Sequence, residues 1–478
     1  MRLNFTKLLS VYGFLVFLFG CDESQQNVTT PAQEIIQKAK EVAVFSINDP
    51  HGRLGNFPKI KPVLEEARKN YDAVFFISAG DLFSGNPIVD FYEEKGYPMI
   101  DLLNDLEMDV SVIGNHEFDY GQQTLADRIS QANFPFICLN VQGGPAALES
   151  IEGATVLEKN GIRLAFVGVV ETSSPMGHPL THPKKIQNLE FEDGIEAFGR
   201  YSQYKAENKA DVLIALTHQG EEKDAELLAA HSNIDLVIGG HTNQIYGKQK
   251  ANGYMVMAGK HLETLGKTTF RIVEGEVQDF SFAAIDLDAE LTEDTFLAQK
   301  VEAFSDAPEF YEVIGNSAHA HDRTETACFY VKALREETQA DLFIQNTGGV
   351  RDDLLEGNIT PFVIYSIDPF GNGLDKYQMT VAQLQTFLSA YRSSYSYDSY
   401  YELRPQGDSY QLIGEDGTAL AQDQLVNFAV NDYISNQYPE LFESIPSLTY
   451  SMTTADYLIQ YVRAQTTPLD FSDCNQKQ

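Results

Sequence analysis

Short apolar runs punctuate the first half of the chain: VAVFSI (42–47), AVFFIS (73–78), VSVI (110–113), IRLAFVGVV (162–170), DVLIAL (211–216) and IDLVIG (234–239). Few polar residues interrupt them, so each reads as a strand buried on both faces. Stretches 59–70 and 124–131 separate some of them with helix-compatible spacing, and the alternation predicts an α/β domain of packed layers over 41–288. Strand-like sequence ends there with FSFAAIDL (280–287). Phe296, Leu297, Val301 and Phe304 then fall on one face of a helix, read as a connector over 289–311. A second, smaller α+β domain is expected over 312–466, with a strand-like run DLFIQN (341–346), before a tail, 467–478. The Tyr-rich segment 391–401 reads as an irregular surface loop.

The N-terminus changes the picture of where the chain works. After Arg2 and Lys7, residues 8–20 are almost wholly apolar, shorter than the ~20 residues of a membrane span. Residues 1–20 therefore read as a signal peptide. Leu18-Phe19-Gly20-Cys21 resembles a bacterial lipobox, which implies lipid on Cys21, a polar tether over 21–40 and attachment to a membrane through lipid alone. The expected location is exported, on the periplasmic or cell-surface side; Asp22 resembles an inner-membrane retention signal. Of the remaining cysteines, Cys138 lies in the apolar stretch FPFICLNV and reads as a core thiol, and a Cys328–Cys474 bridge is possible.

A formal net charge of −35 argues against a nucleic-acid groove, which needs a basic surface to displace counterions. An anionic small molecule must then be attracted by local cations, for which metal ions are the natural choice. No protein partner is expected.

Polar residues gather where the strands end, the place open α/β sheets put their sites. Asn48-Asp49-Pro50-His51-Gly52 follows the first run and Gly80-Asp81 the second. GNHEFDYG (114–121) follows the third, Thr217-His218 the fifth, and Gly239-Gly240-His241-Thr242-Asn243 the sixth. A lone His after a strand is ordinary; this ordered set is not. The donors are nitrogen and oxygen without a cysteine, which suits Zn, Mn, Co or Fe and leaves the choice among them open.

These motifs, GNHEFDYG above all, resemble the calcineurin-like metallophosphoesterases, and with the C-terminal domain the 5′-nucleotidase/UDP-sugar hydrolase family. The resemblance implies a layered β-sandwich flanked by helices, joined to a substrate-binding domain, and two divalent metal ions. Asp81 would bridge the two ions, Asp49, His51 and Asn243 would complete one shell, and Asn115, His218 and His241 the other. Such a pair lowers the pKa of a water and aims it at phosphorus. His116 would stabilise the transition state and help the leaving oxygen, oriented by Asp119.

In the second domain, Asn346-Thr347-Gly348-Gly349-Val350-Arg351 resembles the family's NGGGIR signature. Asn346, Gly348, Gly349 and Arg351 would contact a nucleotide substrate, with Phe370 and Tyr433 as the two sides of a base clamp. The pattern then breaks. Where the family has a GGDG stretch whose Asp binds ribose, this chain reads Ser435-Asn436-Gln437-Tyr438-Pro439-Glu440. The leading expectation is a 5′-nucleotidase or nucleotide-sugar pyrophosphatase. A 2′,3′-cyclic nucleotide phosphodiesterase/3′-nucleotidase, a thiosulfohydrolase and a non-catalytic nucleotide-binding lipoprotein are the alternatives. His178, His182, His231, His261, His319 and His321 receive no role, and loop 173–183 reads as solvated.

Overall fold

The computed structural model describes residues 39–172, 177–250, 252–391, 394–407, 409–472 and 474. Cys21, the expected signal peptide and the expected tether as far as residue 38 lie outside the described residues, and Lys40 already opens the first strand. No described helix is long and apolar enough to cross a membrane.

Two six-stranded sheets stack in the N-terminal domain. The first places Lys40–Ile47, Ala73–Ser78, Val110–Val112 and Phe136–Ile137 side by side in parallel, with Thr264–Val273 and Glu276–Asp286 added antiparallel at one edge. The second is built around Ile162–Val170, Val212–His218 and Leu236–Ile238, also parallel. Strand side chains alternate in direction, so each doubly apolar run feeds two cores. Val42, Val44, Phe75 and Ile77 meet Leu164, Phe166, Ile214 and Leu236 between the sheets. Ala43, Phe45 and Phe76 face helices on one outside, and Val167, Leu213 and Ala215 those on the other. Full burial of each large side chain contributes roughly 1.5–3 kcal/mol, enough to fix the register of the loops that leave the strand ends.

The helix Phe57–Asn70 starts on Pro58 near its first turn and buries Phe57, Ile60 and Leu64 at helical spacing. Thr295–Phe304, capped by the Asp294 side chain on Leu297 N–H, is a helix within residues 289–311 and packs Leu297 into the same core.

The C-terminal domain holds a five-stranded sheet in the order Tyr395–Ser399, Leu342–Asn346, Leu425–Asn431, Leu374–Thr380, Ser447–Thr449. Helices Arg323–Thr338 and Thr454–Ala464 cover one face and Val381–Ala390 the other. The Tyr-rich segment corrects an expectation: Tyr395–Ser399 is an edge strand paired antiparallel with Leu342–Asn346, and Tyr391, Tyr395, Tyr397 and Tyr401 pack on a buried cluster. Aromatics at alternate positions favour a pleated, half-buried strand over a loop. Cys328 and Cys474 form a disulfide that ties the chain's end to helix Arg323–Thr338, and Cys138 is a buried free thiol.

Candidate active site

Each candidate ligand leaves a strand end on a tightly turned loop. Asp49, His51, Asp81, His241 and Asn243 all have positive φ, between 46° and 82°. Side chains other than glycine resist this region, and such strain clusters at sites where the surroundings over-determine the backbone. Glycines make the approach possible: a Cβ on Gly114 would stand 2.3 Å from Asp81 Oδ1, and one on Gly240 2.7 Å from His218 Nδ1. Glu117 braces two loops at once, its carboxylate accepting the N–H groups of Gly114, Asp81 and Leu82 at 2.6–2.9 Å.

The side chains converge on Asp81. Its Oδ2 lies 2.9 Å from His218 Nε2, 3.9 Å from His51 Nε2 and 3.9 Å from His116 Nε2. Asp49 Oδ1 is 3.8 Å from His51 Nε2 and 3.9 Å from His218 Nε2. His51, Asp81 and His116 form one group able to hold a cation, and Asp81, His218 and His241 a second, with Asp81 in both. Asn115 Oδ1 is 3.1 Å from His241 Nδ1, while its amide nitrogen donates to Leu180 O, which leaves the oxygen as the ligating atom. Asn243 lines the same cavity but is exposed.

The donor set fits divalent ions. His51 Nδ1 donates to Ser84 O at 3.0 Å and His218 Nδ1 to Ala79 O at 2.6 Å. Those tautomers turn each Nε2 lone pair toward the cluster, where a cation can take it in place of the Arg351 donor that His51 Nε2 now meets. His218 Nε2 is buried and makes no hydrogen bond despite its nearness to Asp81. Burial pushes His51 well below the usual imidazole range, with Arg351 and His116 adding to the fall, and burial with His218 brings His241 down to about 3. Both are neutral, as ligands must be. His218 goes the other way, pushed up to about 10 because Asp81 and Asp49 outweigh its burial. A proton there balances carboxylate charge that divalent ions neutralise more fully.

His116, a member of the first of these groups, is also held from outside it. Its Nδ1 donates to Asp119 Oδ2 at 2.6 Å, and its N–H to Asp81 Oδ1 at 2.8 Å. Burial works against the charged imidazole, but Asp119 and Asp81 outweigh it and raise its pKa. Phe370 of the C-terminal domain stacks over the His116 ring at 5.7 Å. Arg351 crosses between domains to within 3.3 Å of His51 Nε2. A cavity of about 420 Å³ connects these groups to Asn346, Gly348, Gly349 and Tyr433. The structure thus brings together all the predicted catalytic, ligand and substrate-domain residues, with His218 buried behind the cavity wall.

Calcineurin-like phosphoesterases match over residues 43–244, and the C-terminal domain of 5′-nucleotidases matches over 309–441. The chain belongs to the two-domain 5′-nucleotidase family. It is a hydrolase of phosphoric ester bonds, and the fold implies divalent metal ions. Endonuclease YhcR of Bacillus subtilis is 22% identical over 96% of this chain, which spans 42% of that protein's length. The 5′-nucleotidase of Vibrio cholerae is 23% identical over 78% of each chain. The crystal structure of a 5′-nucleotidase precursor from Thermus thermophilus shares the fold, with a TM-score of 0.77 at 18% identity over 88% of this chain and 96% of that one.

Several residues escaped the sequence reading. Glu117 lies inside GNHEFDYG and was visible there. His182 was expected in a solvated loop; it lines the cavity instead, with Thr181 and Lys185, because loop 177–187 folds against the C-terminal domain. Residues 435–440 span the end of helix Asp432–Gln437 and the start of helix Pro439–Phe442, and Phe442 is buried in the domain core. Among the described residues lining the cavity, the only carboxylates are Asp49, Asp81 and Asp119.

Proposed function

We propose that this protein hydrolyses nucleoside phosphates, as a 5′-nucleotidase, a nucleotide-sugar pyrophosphatase or both. The observation that carries the reading is one cavity lined by Asp49, His51, Asp81, Asn115, His241 and Asn243, by the His116–Asp119 pair, and by Arg351, Phe370 and Tyr433 from the other domain. Asp49, His51 and Asn243 would hold one cation and Asn115, His218 and His241 a second, with Asp81 shared. Zn, Mn, Co or Fe held there would supply Lewis-acid charge and make a nearby water more acidic.

The remaining chemistry belongs to the chain. The Arg351 guanidinium offers a planar fork to phosphate oxygens. Phe370 and Tyr433 present aromatic faces to a base, and Asn346 with the Gly348–Gly349 backbone lets the substrate approach closely. Water attacks phosphorus in line with the leaving oxygen; the bond from phosphorus to that oxygen breaks as the new P–O bond forms. The leaving oxygen takes its proton from His116 Nε2, and the proton released by the attacking water restores the imidazolium. Asp119 keeps Nδ1 protonated and the ring in place.

A 2′,3′-cyclic nucleotide phosphodiesterase/3′-nucleotidase is the second reading, favoured by the packed helical turn where a ribose-binding carboxylate is expected. Purified protein lacking residues 1–21, assayed on AMP, 3′-AMP, 2′,3′-cyclic AMP, UDP-glucose and an aryl phosphate, separates the two. Chelator-sensitive release of phosphate from AMP supports the first; turnover confined to the cyclic and 3′ substrates supports the second. No chelator-sensitive turnover of any of them contradicts both. Export with lipid on Cys21 completes the proposal, and labelled palmitate incorporated by the full chain but not by Cys21→Ser tests it.

A further inference from the structure

Loop 177–187 joins three parts of the site within three residues. The Leu180 carbonyl accepts from Asn115 Nδ2 at 3.0 Å. Thr181, buried to 3% exposure, donates its hydroxyl to Asp119 Oδ1 at 2.8 Å, while the other oxygen of Asp119 holds His116. His182 reaches the C-terminal domain. Its Nδ1 accepts the Lys184 N–H at 3.2 Å, so the ring proton sits on Nε2, which faces Asp432 Oδ1 at 3.4 Å. Its ring meets Tyr433 edge-on at 6.2 Å, and Gln437 Nε2 from the same helix approaches Thr181 O at 3.5 Å.

We propose that Thr181 is a positioning residue for the His116–Asp119 pair, and that the His182–Asp432 contact ties this positioning to the substrate-binding helix Asp432–Gln437. The proposal rests on the reading above that His116 protonates the leaving oxygen. A carboxylate held at one oxygen only is free to rotate about its Cβ–Cγ bond; the Thr181 hydroxyl fixes the second oxygen and so fixes the direction in which Oδ2 holds His116. Asn115, Asp119 and Gln122 hold the loop from within its own domain, and the pairing of His182 with Asp432 adds a hold that exists only while the two domains are together. A base entering against Tyr433 therefore meets the same helix that steadies the proton donor, which couples substrate recognition to alignment of the catalytic pair.

The test exploits leaving-group demand. AMP releases a basic alkoxide that needs a proton, whereas an aryl phosphate with a nitrophenyl group does not. Thr181→Val keeps the side chain's shape and removes the donor. It should lower kcat for AMP about tenfold or more, with the nitrophenyl ester changed by less than about threefold, since general acid catalysis is typically worth 10²–10⁴-fold. KM for AMP and bound metal, measured by elemental analysis, should be unchanged, and Thr181→Ser should restore the AMP rate. In a double-mutant cycle, His182→Gln and Asp432→Asn should each reduce the AMP rate and together do no more than either alone. Equal losses on both esters, no loss at all, or no rescue by serine would overturn the proposal. His116→Ala is the control: if it too falls equally on both esters, the leaving-group role is wrong and the proposal falls with it. If it falls selectively and Thr181→Val does not, only the proposal falls.

Discussion

At the catalytic-domain end of the cavity, Asp49, His51, Asp81, Asn115 and His218 are each at most 3% exposed, and three of these stand on left-handed backbone. At the C-terminal end, Thr347 and Gly348 are exposed, and Asn346, Phe370 and Tyr433 half-buried, on ordinary backbone. The first end is over-determined: strained loops, glycines against carboxylates and the Glu117 clasp leave each donor one position. The second is a set of surfaces that a substrate completes. Chemistry common to many phosphate esters tolerates no movement of its ligands, whereas recognition of a particular nucleoside can change by replacing a loop.

Substitutions at the two ends should therefore differ in kind. Asp81→Asn removes the shared carboxylate and should lower turnover of every ester by at least about a thousandfold, the upper range for loss of one preorganised electrostatic group; a rate within tenfold of the parent in a phosphate-release assay would break the contrast. Glu117→Gln should weaken metal affinity about 10–100-fold, the usual cost of disturbing groups that orient ligands, as read by titrating metal into chelator-stripped protein. Tyr433→Ala should raise KM for AMP about 5–150-fold with kcat little changed, because stacking on one base is worth about 1–3 kcal/mol. An equal effect on the aryl phosphate would show that Tyr433 is not meeting a base. The smallest effect is expected for the sugar. With no carboxylate beyond Asp49, Asp81 and Asp119 lining the described cavity, kcat/KM for dAMP and AMP should agree within about threefold, less than the loss of one typical hydrogen bond of about 1 kcal/mol implies.

The same division decided what was legible in the sequence. Asp49, His51, Asp81, Asn115, His218 and His241 follow apolar strand runs directly, so local pattern places each at a strand end. The strands could be read because doubly buried runs lack polar alternation; their division into two stacked sheets came only with the family resemblance. Thr181 and His182 could not: their partners, Asp119 and Asp432, lie 62 and 250 residues away in the chain (181 − 119 and 432 − 182), and loop polarity says nothing about which domain a loop meets. The tyrosines of 391–401 were misread because five of them in a polar run look solvated until the strand Leu342–Asn346 is seen beside them. The Cys328–Cys474 bridge closes across 146 residues, and only packing of the chain's end on helix Arg323–Thr338 brings its halves together.

Anomalous diffraction from crystals grown with Mn is the most direct test of the account. Two peaks per chain are expected, one among Asp49, His51 and Asn243 and one among Asn115, His218 and His241, with Asp81 touching both and both lost in Asp81→Asn. A single peak, or two ions that survive loss of Asp81, would contradict it.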